Sequence, residues 1–429
     1  MVTTGESRVN TSRRHLIRCV GGLPLAVAAT GVSSLVGAAD RVGAEPTAGK
    51  NPIRLPDRAS FSYEGIHLNA AYTHPTGIRT REAIDAYVKS REREAGRNWP
   101  AQNARDEAVQ LFAGLINAKP TEVAVVPSTL EGENLIASAL GLGPTAGVVS
   151  DPFHYDASLV MYGELHKHGM PLNVLTPRDN RIDYADLERA ITPQTKLVAV
   201  SWVASATGYV HDLKTVCDIA HKKGALVYAD IIQGVGGIPL DVKACGVDFC
   251  CAGAYKWLMG EFGVAFLYVR PDRLAQLQRV QVGWRGMTAY RPHFLPFDEP
   301  GPPAGEYELG ADTAHIFEVS TPNWSGLAAV AGSLKYINDL GVANIARHRE
   351  PLLQRLQEEL PKHGFRRLTP SDFQGSSVVF SREGLGHEFR QAILDAKIYV
   401  TLYKHRIRVS PSVHNDMGDI ESLIKILVA

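Results

Sequence analysis

Val227-Tyr228-Ala229-Asp230-Ile231-Ile232-Gln233 and, one strand-to-strand crossover later, Tyr255-Lys256-Trp257 are the two segments on which the reading of this chain turns. The first sets an acid at the carboxyl end of an apolar strand, where open α/β sheets bind their ligands. The second delivers an amine just beyond another apolar run, over 247–252. Lys256 and Asp230 can therefore enter one crevice from separate strand ends. An isolated lysine or aspartate after a strand is more often solvated or ion-paired, so it is the order of the parts that gives this pair weight.

Outward from these segments the same rhythm continues. Short β-rich runs over 124–126, 147–150, 172–175, 197–202, 225–229, 247–252 and 264–269 alternate with helical stretches such as 184–191 and 213–223. This alternation predicts an α/β fold with a mostly parallel seven-stranded sheet covered on both faces. The Gly- and Pro-rich stretch 281–311 breaks the pattern and reads as a long surface excursion or domain junction. A helix over 326–340 follows, and the remainder mixes helices and strands as a smaller α+β domain. The expected organisation is an N-terminal signal over 1–44, an irregular arm over 45–75, a large domain over 76–310 and a small domain over 311–429.

A length of 429 residues exceeds one compact core, which supports two domains. Lys plus Arg and Asp plus Glu balance at 45 each. A nucleic-acid binder usually carries a basic excess or stripe, so the expected partner is a small molecule. Five cysteines occur without metal-ligand spacing or a disulfide framework. Cys250 and Cys251, adjacent in a strand, read as buried small hydrophobes.

Ser12-Arg13-Arg14-His15-Leu16-Ile17-Arg18 precedes an apolar, Gly- and Ala-rich run from Cys19 to Ala39, with small residues near Ala38 and Ala44. A charged segment before an apolar one is the layout of a secretory signal, and the paired arginines resemble a bacterial twin-arginine (Tat) signal. Pro24 and several glycines interrupt the run, which argues against a stable membrane anchor. The expectation is export by the Tat machinery and a soluble periplasmic protein.

The Lys–Asp pair fits one cofactor in particular, pyridoxal 5'-phosphate (PLP). PLP needs a lysine amine to bond its aldehyde and a carboxylate to keep its ring nitrogen protonated. Its phosphate needs backbone N–H donors at a helix start. Ser128-Thr129-Leu130-Glu131-Gly132, between a strand and a helix, suits the phosphate, although alone it would be an ordinary helix cap.

Asp230-Ile231-Ile232-Gln233, Gly246-Val247-Asp248-Phe249, Tyr255-Lys256-Trp257, Gly263 and Phe266-Leu267-Tyr268-Val269-Arg270 together resemble the class V aminotransferase family of fold-type I PLP-dependent enzymes. The resemblance runs from about Leu68 to Leu427 and takes in cysteine desulfurases, isopenicillin N epimerase-like proteins and kynureninases. It implies that Lys256 bonds the cofactor and that Asp230 pairs with the ring nitrogen. It also implies that Gln233 meets the phenolic oxygen and that Thr129 with the Leu130 backbone holds the phosphate. His154 falls where the family stacks a ring on the pyridine, with its neighbour Phe153 as a rival. Ser320-Thr321-Pro322 resembles the loop with which a partner subunit completes the phosphate site, implying a homodimer. Arg408, in the alternating Arg406-Ile407-Arg408-Val409-Ser410, takes the position that binds the substrate α-carboxylate.

The departures narrow the reading. Desulfurases carry a nucleophilic cysteine shortly before that arginine, and 399–408 contains none. Gly253 and Tyr255 replace the Ser and His that desulfurases place before the lysine, and Tyr255 could donate to the phosphate as in kynureninases. The epimerase-like group is nearest. The expected activity is at the α carbon of an amino acid, or of an amino-acid side chain of a natural product, by transamination or epimerisation. A β-lyase or hydrolase of the sulfoxide-lyase or kynureninase kind, and a non-catalytic PLP-binding module, are the alternatives.

Overall fold

The computed structural model describes residues 53–93, 100–372 and 375–429. All of them lie in one compact unit, Pro46–Ala429. The twin-arginine segment and the apolar run after it lie outside the described residues.

The acid-bearing run forms a strand, Leu226–Asp230, at the centre of a seven-stranded sheet. In chain order the strands are β1 (Val123–Val126), β2 (Gly147–Ser150), β3 (Leu172–Val174), β4 (Thr195–Ser201), β5 (Leu226–Asp230), β6 (Phe249–Gly253) and β7 (Ala265–Val269). Across the sheet they are arranged β1-β7-β6-β5-β4-β2-β3. Five neighbours from β6 to β3 run parallel, while β7 is antiparallel to both β6 and β1. Strands β1, β2, β5, β6 and β7 are buried at every residue. That explains why they read as continuous apolar runs without alternation. Each expected strand is present, with ends shifted by one or two residues, as sequence patterns allow.

Asp248 locks the strands at the end remote from the crevice. It is fully buried just before β6. Its Oδ2 accepts from the Val227 N–H of β5 at 2.8 Å and from His221 at 2.7 Å. Its Oδ1 accepts from Arg273 at 2.7 Å and lies 3.1 Å from Arg270. One carboxylate thus fixes β5, a covering helix and the segment after β7.

The helix Trp324–Leu340 packs into the core of this sheet through Leu327, Val330, Leu334 and Ile337. A second, antiparallel sheet of four strands lies later in the chain, ordered Arg366–Arg367, Val378–Ser381, Arg406–Val409, Thr401–Leu402. It shares a core with Leu352, Leu356, Phe389 and Leu423. The arm ties in here. Ile66–His67 pairs in parallel with Ile398–Tyr399, and the Ser410 N–H donates to Leu68 O. The excursion over 281–311 contains an antiparallel hairpin, Met287–Arg291 with Glu306–Leu309, and leaves Phe297 wholly exposed.

Replacing Asp248 with alanine removes the buried anion shared by two arginines, His221 and a backbone N–H, and leaves the arginines only the exposed Asp272 as an acid partner. It should lower unfolding stability by about 3–5 kcal/mol, the usual cost of breaking a buried ion pair, read by chemical denaturation. A change below about 1 kcal/mol would show that this carboxylate does not hold the strands together.

Candidate active site

Asp230 ends β5 with its carboxylate buried, and the Ile232 N–H donates to its Oδ1 at 2.9 Å. Burial raises its pKa to about 6, partly opposed by that N–H and by the charges of His154 and Lys256. Lys256 lies three residues past the end of β6. Burial lowers its amine to about 8; the Asp230 charge pulls it upward and the Arg408 charge pushes it further down. The amine thus feels the fields of both the acid and the guanidinium, although they come from β5 and from the four-stranded sheet.

Arg408 is 3% exposed. Its Nη1 donates to Ser205 O and Oγ at 3.0 and 2.6 Å, and its Nη2 to Thr401 Oγ1 at 3.1 Å. These partners are neutral, and the Nε is buried without one. Burial lowers its pKa to about 10. A guanidinium so placed has unmet demand for an anion. Arg406, the other arginine of the strand, instead lies over the Tyr403 ring at 4.2 Å.

Gln233 turns inward beneath this group. Its amide nitrogen donates to Ala71 O at 3.0 Å and Ser205 Oγ at 3.3 Å, and its Oε1 accepts from Trp257 Nε1 at 3.4 Å. Both amide hydrogens are engaged here, so donation to another oxygen requires one of these bonds to be exchanged. Trp257 in turn carries the buried Arg349 guanidinium 4.9 Å from its ring centroid.

The helix Thr129–Ala139 begins at the end of β1, with the Ser128 hydroxyl accepting from the Glu131 N–H at 3.1 Å. Thr129 Oγ1 accepts from the Gly253 N–H at 2.8 Å, which leaves its own hydrogen available. Leu130 follows in the first turn, where backbone N–H groups face outward from the helix start. Gly253 lets the chain pass close to this corner. A Cβ there would lie 3.1 Å from Ile232, 3.2 Å from the Tyr255 ring and 3.3 Å from Thr129 Oγ1. Tyr255 stacks on Phe262 with centroids 4.3 Å apart. Thr321 is exposed and lines a cleft of about 330 Å³ with Val126, Glu131 and Gly263.

His154 and Phe153, which the sequence left as rivals, face different surroundings. Phe153 packs against Tyr209, centroids 5.3 Å apart, within the hydrophobic core. His154 is buried with Nε2 on Glu133 at 2.8 Å and Nδ1 on Ser201 Oγ at 3.0 Å, and its charge is felt at Asp230. Ser205, Ala71 and Glu133 are contributors that sequence reasoning missed. Ser205 and Ala71 carry no local signal, since their roles come from chain segments that meet only in space. Glu133 did offer one, an acid on the buried face of a helix between Gly132 and Ile136.

An open-sheet crevice with a desolvated lysine, a buried acid and a helix start defines the PLP-dependent class of architecture. Residues 83–402 match the model of the family "Aminotransferase class-V". The chain belongs to that family. Among its relatives is the "Uncharacterized aminotransferase YcbU" of Bacillus subtilis, 29% identical over 335 residues, covering 78% of this chain and 86% of that protein. Among solved structures, the apo cysteine desulfurase of Thermococcus onnurineus NA1 superposes with a TM-score of 0.77 at 24% identity, over 89% of this chain and 98% of that one. The cystine C-S lyase C-DES, in complex with cysteine persulfide, superposes with a TM-score of 0.73 at 22% identity, over 85% and 97%. The fold is that of fold-type I PLP-dependent transferases.

The depressed amine gives a direct test. In cofactor-free protein, modification of Lys256 by an amine-directed reagent should rise with a midpoint near pH 8, measured by peptide mass spectrometry. A midpoint near the ordinary lysine value of about 10.4 would mean that the side chain is solvated.

Proposed function

We propose that this chain is an enzyme that uses pyridoxal 5'-phosphate to act at the α carbon of an amino acid, or of an amino-acid side chain of a natural product, by transamination or epimerisation. The carrying observation is the amine of Lys256, half-buried just past β6 and within the fields of the Asp230 carboxylate and the Arg408 guanidinium. The residues fit the cofactor: Thr129 keeps a hydroxyl hydrogen free at a helix start, and the buried Arg408 Nε has no partner of its own. When bound, PLP supplies a protonated aromatic ring that accepts electrons from the substrate.

The chain's own groups then have defined tasks. Lys256, poised near pH 8, moves a proton at the α carbon with less loss of driving force than a solvated lysine. Asp230 is half ionised near pH 6 in the cofactor-free site. A protonated ring nitrogen beside it would draw it down and keep it charged at neutral pH. Thr129 and the Leu130 N–H hold the phosphate, and Tyr255 lies close enough to the same corner to join them. Arg408 takes the substrate carboxylate through a fork of N–H donors.

Among the described residues no cysteine is placed to abstract sulfur. Cys217, Cys250 and Cys251 are buried, Cys245 is half-buried, and burial pushes all four thiols up. A thiol held protonated is a poor nucleophile.

Two features support a homodimer in which Thr321 completes the partner's phosphate site. Thr321 itself is exposed, and Phe262 and Trp284 are large exposed apolar residues. The Arg13-Arg14 segment followed by an apolar run supports twin-arginine export to the periplasm, a route that carries folded protein with its cofactor in place.

Lys256→Ala should abolish the visible absorbance of the bound cofactor and lower turnover by about 10²–10⁴-fold, the range for a lost acid–base group. Arg408→Gln should weaken substrate binding by roughly 10–100-fold. Incubation with an amino-acid panel should give a keto acid or an inverted α carbon. Pyruvate and ammonia would instead establish a β-lyase. A Lys256→Ala protein that still absorbs and turns over would remove the proposal altogether.

A further inference from the structure

Glu133 is 1% exposed, yet three side chains hydrogen-bond to its two oxygens. His154 Nε2 and the Tyr162 hydroxyl meet Oε1 at 2.8 and 2.7 Å, and the Ser158 hydroxyl meets Oε2 at 2.6 Å. A carboxylate accepts all three, whereas a protonated acid would lose an acceptor position to its own hydrogen. The arrangement suits a carboxylate at Glu133 with a hydrogen on His154 Nε2 between them. A lone buried anion is costly, and the cost falls if the ring beside it carries the matching positive charge.

The remaining neighbours favour that charge. His154 faces Glu133 from the Thr129–Ala139 helix, Tyr162 and Ser158 from the Asp156–Lys167 helix, and Ser201 from β4. Asp151 in its own loop and Asp230 on β5 act on it through their charges. Burial alone would strip its proton, but Glu133, with Asp230 and Asp151, more than offsets this and raises its pKa. Tyr228 and Cys251, which lie near Glu133, are held neutral by burial.

We propose that Glu133 is a positioning residue that clamps the His154 ring and keeps it an imidazolium, so that a fixed positive charge covers the cofactor-facing side of the crevice beside Asp230. This rests on the reading of the crevice as a PLP site. A cation over that face stabilises negative charge spread into the ring and helps Asp230 to remain ionised. The consequence belongs to this chain's own residues and is readable without the cofactor.

Histidine-selective isotope labelling and NMR of the cofactor-free protein, with the His154 signal assigned by its loss in His154→Gln, provide the test. In the wild type His154 should remain an imidazolium at pH 7 and above. In Glu133→Gln its proton affinity should fall more than about tenfold, bringing its midpoint below the ordinary value of about 6.5. Ser158→Ala, which removes one donor and keeps the carboxylate, should leave His154 charged. A neutral His154 at pH 7 in the wild type overturns the proposal and needs no variant to fold. In protein reconstituted with PLP, Glu133→Gln should shift the pH midpoint of cofactor absorbance, and Ser158→Ala should not. An unchanged midpoint in Glu133→Gln overturns the cofactor-facing role. Failure of the wild type to bind PLP sinks the functional reading instead, while the NMR result still reports on the Glu133–His154 pair.

Discussion

Everything in the crevice depends on keeping water away from charged groups that approach from different parts of the chain. Lys256 and Arg408 are both cations; Asp230 acts on the first, and its own burial pushes it toward neutrality, while the hydrogen-bond partners of Arg408 are neutral. Left alone, that set is poorly balanced. Its imbalance has a direction, since the missing charge is negative and must be supplied by something that enters. A phosphate at the Thr129 helix start and a carboxylate at Arg408 would supply it.

The sheet makes this possible because its parallel strands end together. Ser201 pairs in register with Asp230, and Asp230 with Cys251, so that β4, β5 and β6 bring their carboxyl ends to one level. Strand β7 runs the opposite way and inserts between β6 and β1. Gly253, at the end of β6, donates directly to Thr129 beyond β1. The arm and the four-stranded sheet close the other side, where Ala71 and Ser205 tie Gln233 and Arg408 into place. The crevice is thus walled by segments more than 300 residues apart in the chain.

This division explains what could be read in advance. The seven strands were legible because burial on both faces demands unbroken apolar runs, and the runs announce themselves. Asp230 and Lys256 were legible because each follows such a run. The partners of those residues were not. Nothing near Ala71 or Ser205 in the sequence marks them, because a backbone carbonyl and a small hydroxyl acquire meaning only from what is brought against them. The engagement of the Gln233 amide by those two groups was invisible for the same reason. His154 and Phe153 could not be separated by sequence, being adjacent and both aromatic. The structure parts them by chemistry: the ring that can hydrogen-bond at both edges sits between Glu133 and Ser201, and the ring that cannot lies in the core against Tyr209.

Glu133 completes the electrostatic argument. A buried glutamate behind a crevice could be taken as incidental structure, but two hydroxyls and the His154 ring all meet its oxygens, and its charge raises the proton affinity of His154. The imidazolium acts on both Glu133 and Asp230, and at Asp230 it opposes the upward push of burial and of the Glu133 charge itself. Without it, Asp230 would meet the ring nitrogen more often as a neutral acid and pair with it less strongly. The residue that governs the acid at the end of β5 therefore sits on a helix that does not carry it. That coupling follows from the low dielectric of the site, where one buried charge reaches several neighbours at once.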